Sequence, residues 1–111
     1  MYYRAYHGRG GGGKPRPLER GTERGDLALK MVADGGNLFV PDLGAEGVPV
    51  DHHGSCAGYR TFISASISTG EAAFGMVTVD APTAGDLVST DQQVVMLMAD
   101  LLAIAFAEVA R

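Results

Sequence analysis

Two stretches in the second half of the chain alternate between apolar side chains and polar or small ones. They are Arg60–Ser68 (RTFISASIS) and Ala73–Asp80 (AFGMVTVD), and the three residues between them include Gly70. Period-two alternation predicts strands, and a short glycine-containing connection predicts an antiparallel hairpin. With a three-residue loop, the register places Arg60 opposite Asp80 and predicts an ion pair between them.

The alternation sorts the hairpin side chains onto two faces. The first face is purely aliphatic or small and is expected to pack against a helix; it carries Ile63, Ala65, Ile67, Gly75, Val77 and Val79. The second face mixes aromatic rings, sulfur and hydroxyls, which is typical of the wall of a small-molecule pocket. The alternative is that its serines simply face water. This candidate ligand-binding wall consists of Phe62, Ser64, Ser66, Phe74, Met76 and Thr78.

A long helix is predicted over Ser89–Val109, which contains neither glycine nor proline. Ser89 or Thr90 is the expected N-cap, and Asp91 lies favourably at the positive end of the helix dipole. One apolar stripe of this helix is expected to pack on the aliphatic face of the sheet. It consists of Val94, Leu97, Leu101 and Ile104.

A second apolar stripe on the same helix includes Val95 and is too large for one sheet face to cover. Large side chains left bare would form an apolar patch unusual for a soluble monomer. A second copy of the helix is the simplest cover, because an isologous contact buries the patch on both subunits. The expected homodimer interface is Met98, Leu102, Phe106 and Val109.

The first half of the chain has weaker patterns. Met1–His7 is β-prone, and Gly8–Arg20 is a glycine-rich basic segment expected to be a flexible loop. A helix is predicted over about Glu23–Ala33 with Thr22 as its N-cap. Leu38–Val40 is predicted to be a short strand.

Length and composition indicate one soluble domain. The chain has 111 residues, of which 46% are hydrophobic and 20% charged, close to globular averages. Its single cysteine, Cys56, favours a reducing compartment, and the N-terminus has no apolar run fit for a signal peptide. Asp100 splits the longest apolar run into pieces too short to span a bilayer. We therefore expect a cytoplasmic protein without a membrane segment.

The net charge of −4 is unevenly distributed. Residues 1–30 hold seven basic and three acidic groups, or +4, whereas the remaining residues hold two basic and ten acidic groups, or −8. A basic arm could contact an anionic partner. However, no aromatic residues interleave with these charges as stacking on bases would require, so nucleic-acid binding is not expected.

Two apparent nucleotide-binding motifs begin at Gly8. The run Gly8–Lys14 matches a P-loop up to the lysine and also contains GxGxxG spacing. Pro15 stands where the P-loop needs a hydroxyl residue, and the following PRPLERG does not predict a helix aimed at phosphates. Chance matching in a glycine-rich segment is the better interpretation.

A histidine–cysteine cluster, His52, His53 and Cys56 with Asp51 nearby, raises the possibility of a metal site or an activated thiol. A structural zinc site would require a second ligand pair, and thiol catalysis would require an orienting group. Neither is evident in the sequence. We therefore expect no metal and no catalytic residue.

The order of the second half resembles the C-terminal part of a GAF domain. The segments carrying the resemblance are GYRTFISASIS, AFGMVTVDAP and GDLVSTDQQVVMLMADLLAIAFAEV, within Tyr59–Val109; GDLALKMVADGGNLFVPDL, within Gly21–Leu43, is similar more weakly. Against the family pattern, the leading helix and first strand are missing, so the resemblance describes a truncated single domain over residues 1–111. Bilin-binding relatives place a Cys-His pair before the corresponding strand, whereas Ala57 follows Cys56 here.

The resemblance implies an α+β fold in which an antiparallel sheet has a long C-terminal helix on one face and a small-molecule pocket on the other. It also implies a non-catalytic sensory domain that binds a small-molecule ligand in signal transduction and dimerises through its terminal helix. The sequence does not specify the ligand. The alternatives are a dimerisation module without a ligand and, less favoured, a small thiol-dependent enzyme, since only one cysteine is present.

Overall fold

A computed structural model describes residues 20–45 and 59–110, with only the backbone of residues 23 and 24. The fold of this part is α+β: a three-stranded antiparallel sheet and two helices, the second long and C-terminal. The strand at Met1–His7, most of the glycine-rich loop and the His52/His53/Cys56 cluster, all predicted from sequence, lie outside the described residues. The elements in chain order are α1 (Glu23–Asp34), β1 (Asn37–Val40), β2 (Thr61–Ser68), β3 (Ala73–Ala81) and α2 (Ser89–Val109).

Strand β2 is central, with β1 and β3 antiparallel on its two sides. The register pairs Phe62 with Asp80, so the predicted pairing of Arg60 with Asp80 is wrong. The connection is one residue longer than predicted: the Thr69 backbone N–H donates to the Ala72 carbonyl at 2.8 Å and closes the turn. The two faces of the hairpin are nevertheless sorted as predicted at most positions, because the register differs by an even number of residues.

Phe74 is the exception. Ile67 pairs with Gly75 and Ser68 with Ala73, so Phe74 is the extra residue of a β-bulge. Gly75 has φ 154°, in the region that favours glycine, and this geometry brings Phe74 to the aliphatic face. The prediction that Phe74 shares a face with Phe62 and the serines is therefore wrong.

Helix α2 packs on the aliphatic face through small residues. Val95, Ala99 and Ala103 are only 4%, 1% and 3% exposed, and they form one cluster with Ile63, Ala65 and Ile67 of β2. The prediction that the stripe containing Leu101 and Ile104 packs on the sheet is wrong, since these side chains are 59% and 65% exposed. The sheet already supplies the large branched side chains, so small residues on the helix permit the close approach that dense packing requires.

Both helices have recognisable starts. The Thr22 hydroxyl accepts the Gly25 backbone N–H at 3.0 Å, which confirms the predicted N-cap of α1. Helix α2 is continuous from Ser89 as predicted, but its N-cap is Val88, whose N–H donates to the Asp91 carboxylate at 2.8 Å. This bond satisfies the Val88 N–H without a hydroxyl at the cap position.

Helix α1 covers the second face of the sheet. Its Ala28 and Val32 are buried, and the Ser66 hydroxyl of β2 donates to the Val32 carbonyl at 3.1 Å. The helix ends at Gly35, whose φ of 70° is left-handed. The sheet thus lies between two helices, α1 on the face with the hydroxyls and α2 on the aliphatic face.

Candidate functional site

The face under α1 contains most of the residues predicted to form a ligand-binding wall. Phe62, Ser64 and Ser66 alternate along β2 and are buried, while Met76 and Thr78 of β3 are half-buried. The register places Ser64 beside Thr78 and Ser66 beside Met76. Five of the six predicted wall residues therefore share this face, and the serines do not simply face water.

The hydroxyls on this face have partners within the protein. The Ser64 and Thr78 hydroxyl oxygens are 2.8 Å apart across the two strands. The Ser66 hydroxyl donates to Val32 and is also 2.9 Å from the Ser68 hydroxyl. Buried polar groups are normally satisfied in this way, so these contacts make a stable interior without any ligand. A ligand would have to offer new hydrogen bonds in exchange.

Phe62 belongs to a separate apolar cluster at the end of the sheet. It is buried with Val40 and Leu43, and the Tyr59 ring meets it edge to face with ring centroids 6.0 Å apart. The wall therefore has an aromatic end at Phe62 and a hydroxyl-rich end under α1.

An ion pair joins the chain after β1 to the chain before β2. The Asp42 carboxylate accepts from the Arg60 guanidinium and from the Gly44 backbone N–H, both at 2.9 Å. These two hydrogen bonds, that of Gly44 first, hold the pKa of Asp42 below its ordinary value. The Leu43 N–H also donates to the Arg60 carbonyl at 2.8 Å, so the chain after β1 and the chain before β2 are adjacent at the Phe62 end of the wall.

The other candidate site is the side of α2 that points away from the sheet. With about 100° of rotation per residue, Leu97, Leu101 and Ile104 project opposite to Val95, Ala99 and Ala103. Seven large apolar side chains extend over this side and its flank, and we call them the outer face of α2. They are Val94, Leu97, Met98, Leu101, Leu102, Ile104 and Val109.

Three of the four residues predicted for a dimer interface, Met98, Leu102 and Val109, belong to the outer face. Phe106 is also exposed, but its ring stacks on Phe74 with centroids 5.9 Å apart, so it is partly engaged within the chain. The remaining members of this face had been predicted to pack on the sheet. The repeat of alanines at 99, 103 and 107 was the signal that could have identified the docked side.

The part of the chain that the structure describes contains no cluster of three or more metal-binding side chains. One helix in the same part, α2, is long and apolar enough to cross a membrane by length and composition. Neither the protein-family models nor the curated proteins include a match to this chain.

Proposed function

We propose that the chain is a GAF-like regulatory domain without catalytic activity, which works by pairing with a second copy through the outer face of α2. The observation that carries this proposal is the distribution of side-chain size around α2. Its small residues are buried on the sheet, whereas its large apolar residues are exposed. Exposed apolar surface of this extent is characteristic of interaction sites.

The size of the outer face suits a second copy. Its seven side chains expose on the order of 700 Å² per copy, which is the upper limit of what a contact through this face can bury and lies within the range of specific interfaces, roughly 600–1,000 Å² per partner. Because the face contains mainly leucine, isoleucine, valine and methionine, it has the apolar character of homodimer interfaces. An isologous contact requires only this one surface.

The charge of α2 favours a protein partner over a lipid surface. Helices that lie on membranes usually have lysine and arginine along their polar side. In α2 the charged residues are Asp91, Asp100 and Glu108, all acidic. Spanning a bilayer would also require Ala99 and its buried neighbours to leave the sheet. A second copy covers the outer face without disturbing these contacts.

The GAF-like part of the proposal is supported by element order and layering. A strand hairpin is followed by a short connection and a long helix on one face, and an earlier helix covers the other face. The hairpin followed by a long helix on one face is what the resemblance of Tyr59–Val109 implies, whereas α1 covers the face on which the resemblance implies a small-molecule pocket. Fold alone does not establish activity, so the regulatory role depends on the pairing surface.

Sedimentation velocity over a range of protein concentrations tests the pairing. We expect a dimer with micromolar or tighter affinity, and we expect Leu97→Glu to convert it to a monomer with unchanged circular dichroism. Met96→Glu is the matched control, because Met96 is the neighbouring residue, is 40% exposed, and lies on the opposite flank of the helix. A chain that is monomeric at a hundred micromolar would contradict the proposal.

A second candidate function is small-molecule sensing on the face under α1. The observation that favours it is the concentration of hydroxyls and a methionine between two strands and a helix: Ser64, Ser66, Thr78 and Met76. A thermal-shift screen with cyclic nucleotides, haem and other small metabolites tests it, since a ligand at a hundred times its Kd adds about 2.7 kcal/mol. A thermal shift that Ser64→Ala abolishes would support sensing. If no compound shifts the melting temperature, sensing is contradicted and pairing remains as the proposed function.

A further inference from the structure

The outer face of α2 contains a regular heptad pattern along its centre. Val94, Leu97, Leu101 and Ile104 are spaced by three, four and three residues, which is the a/d spacing of paired helices. The next positions of the same pattern are Thr90 at the N-terminal end and Glu108 at the C-terminal end. We call Val94, Leu97, Leu101 and Ile104 the apolar seam. It is bounded by the Thr90 hydroxyl at one end and the Glu108 carboxylate at the other.

We infer that two copies of the chain pair through α2 in antiparallel orientation, an inference that rests on the self-association proposed above. In this orientation an a position packs on a d position of the other helix. Val94 of each copy then meets Ile104 of the other, and Leu97 meets Leu101. All four apolar layers are filled.

Thr90 and Glu108, at the two ends of the seam, favour the antiparallel over the parallel orientation. In a parallel pair, the two Glu108 carboxylates would occupy one a layer and would repel each other. In the antiparallel pair, Glu108 lies instead beside Thr90 of the other copy, in the first turn of its helix. That turn is the positive end of the helix dipole, and the Thr90 hydroxyl can donate to the carboxylate. Asp91 projects about 100° away around the helix and accepts the Val88 N–H.

Within residues 20–45 and 59–110, the sheet and α1 do not obstruct either orientation. The sheet packs on the buried side of α2, opposite to the seam, so the two sheets lie on the outside of the pair. The orientation decides where the helix ends lie. In the antiparallel pair the two Val109 residues are separated by about 30 Å along the axis, whereas a parallel pair would bring them side by side.

Disulfide crosslinking in the full chain with Cys56→Ser distinguishes the two orientations. We expect an equimolar mixture of Val94→Cys and Ile104→Cys chains to form the mixed disulfide, while each variant alone forms little. In a parallel pair each variant alone would crosslink, and that result would overturn the inference while keeping the proposed self-association. A chain that never dimerises, including one that only partitions onto lipid vesicles, would overturn both.

Two measurements complete the test. Spin labels on Ala110→Cys should lie about 33 Å apart along the axis in the antiparallel pair, whereas in a parallel pair they would be side by side. Glu108→Gln should raise the dimer Kd by about 3- to 30-fold, because each antiparallel dimer loses two carboxylates at helix N-termini, about 0.3–1 kcal/mol each. A several-fold tighter dimer would indicate that a like-charge pair had been removed, and would contradict the antiparallel arrangement.

Discussion

Replacing Leu101 with alanine tests most directly which side of α2 packs on the sheet and which side is exposed. If Leu101 were docked on the sheet, its truncation would cost about 2–5 kcal/mol of folding free energy. Instead it is 59% exposed, and alanine has the higher helix propensity. We therefore expect the free energy of unfolding of the monomer to change by less than about 1 kcal/mol.

The same substitution should weaken the dimer strongly. Full burial of a leucine side chain contributes about 1.5–3 kcal/mol, and more than half of this surface remains exposed in the monomer. In the proposed dimer Leu101 enters the interface from both copies, so the expected loss is about 2–4 kcal/mol per dimer. At about 1.4 kcal/mol per factor of ten, the dimer Kd should rise by roughly 30- to 700-fold.

Urea denaturation of dilute protein and sedimentation at higher concentration measure the two effects independently. The matched variant is Ala99→Leu, on the docked side, where Ala99 is 1% exposed. Overpacking there should cost about 1–3 kcal/mol of folding free energy even in dilute monomer. A loss of about 2 kcal/mol or more in the dilute Leu101→Ala monomer, or an Ala99→Leu variant as stable as the wild type, would contradict this assignment of the docked side.

Three further predictions concern the fold. Ile63 of β2 is fully buried between the sheet and α2, so Ile63→Ala should lower the free energy of unfolding in urea by about 2–5 kcal/mol. Thr22→Ala removes the hydroxyl that accepts the Gly25 N–H, and should cost about 0.5–2 kcal/mol by the same measurement. The hydrogen bonds from the Gly44 backbone N–H and from Arg60 lower the folded-state pKa of Asp42, so they stabilise the fold above the unfolded pKa of about 3.9, and this contribution disappears as the pH falls through the folded value. In acid titrations, the stability advantage of the wild type over Asp42→Asn should therefore be present at neutral pH and vanish at low pH; an advantage independent of pH would contradict it.

The strands and helices were predictable because their signals are local. Alternation identified β2 and β3, the Thr22 cap identified the start of α1, and the uninterrupted run from Ser89 identified α2. The sorting of side chains onto two faces also followed, since a shift by an even number of residues leaves each side chain on its own face. The bulge at Phe74 was not predictable, because it depends on how the four-residue turn closes.

The docked side of α2 could not be predicted from periodicity. Large apolar residues occur around much of its circumference, so hydrophobicity alone favours the stripe with the largest side chains. The shape of the sheet surface determines which side docks. Ile63 and Ile67 already fill the space between the layers, so the helix can approach closely only on the side of Ala99 and Ala103. Side-chain volume across an interface is a property of both surfaces, whereas the helical period describes only one of them.

Because the small side chains of α2 are buried and the large ones exposed, the proposed association of two copies would also stabilise the fold of each copy. The residues of α2 that could release the most free energy on burial, such as Leu97 and Ile104, contribute little while the chain is alone. In the described part of the lone chain, α2 is held on the sheet through small contacts at Val95 and the alanines. A second copy that binds only the folded state adds about 2.7 kcal/mol at a hundred times its Kd. If the chain pairs as proposed, protein concentration would determine how strongly the dimer contact stabilises α2, and a ligand or partner that competes for the outer face would destabilise the fold as well as the dimer.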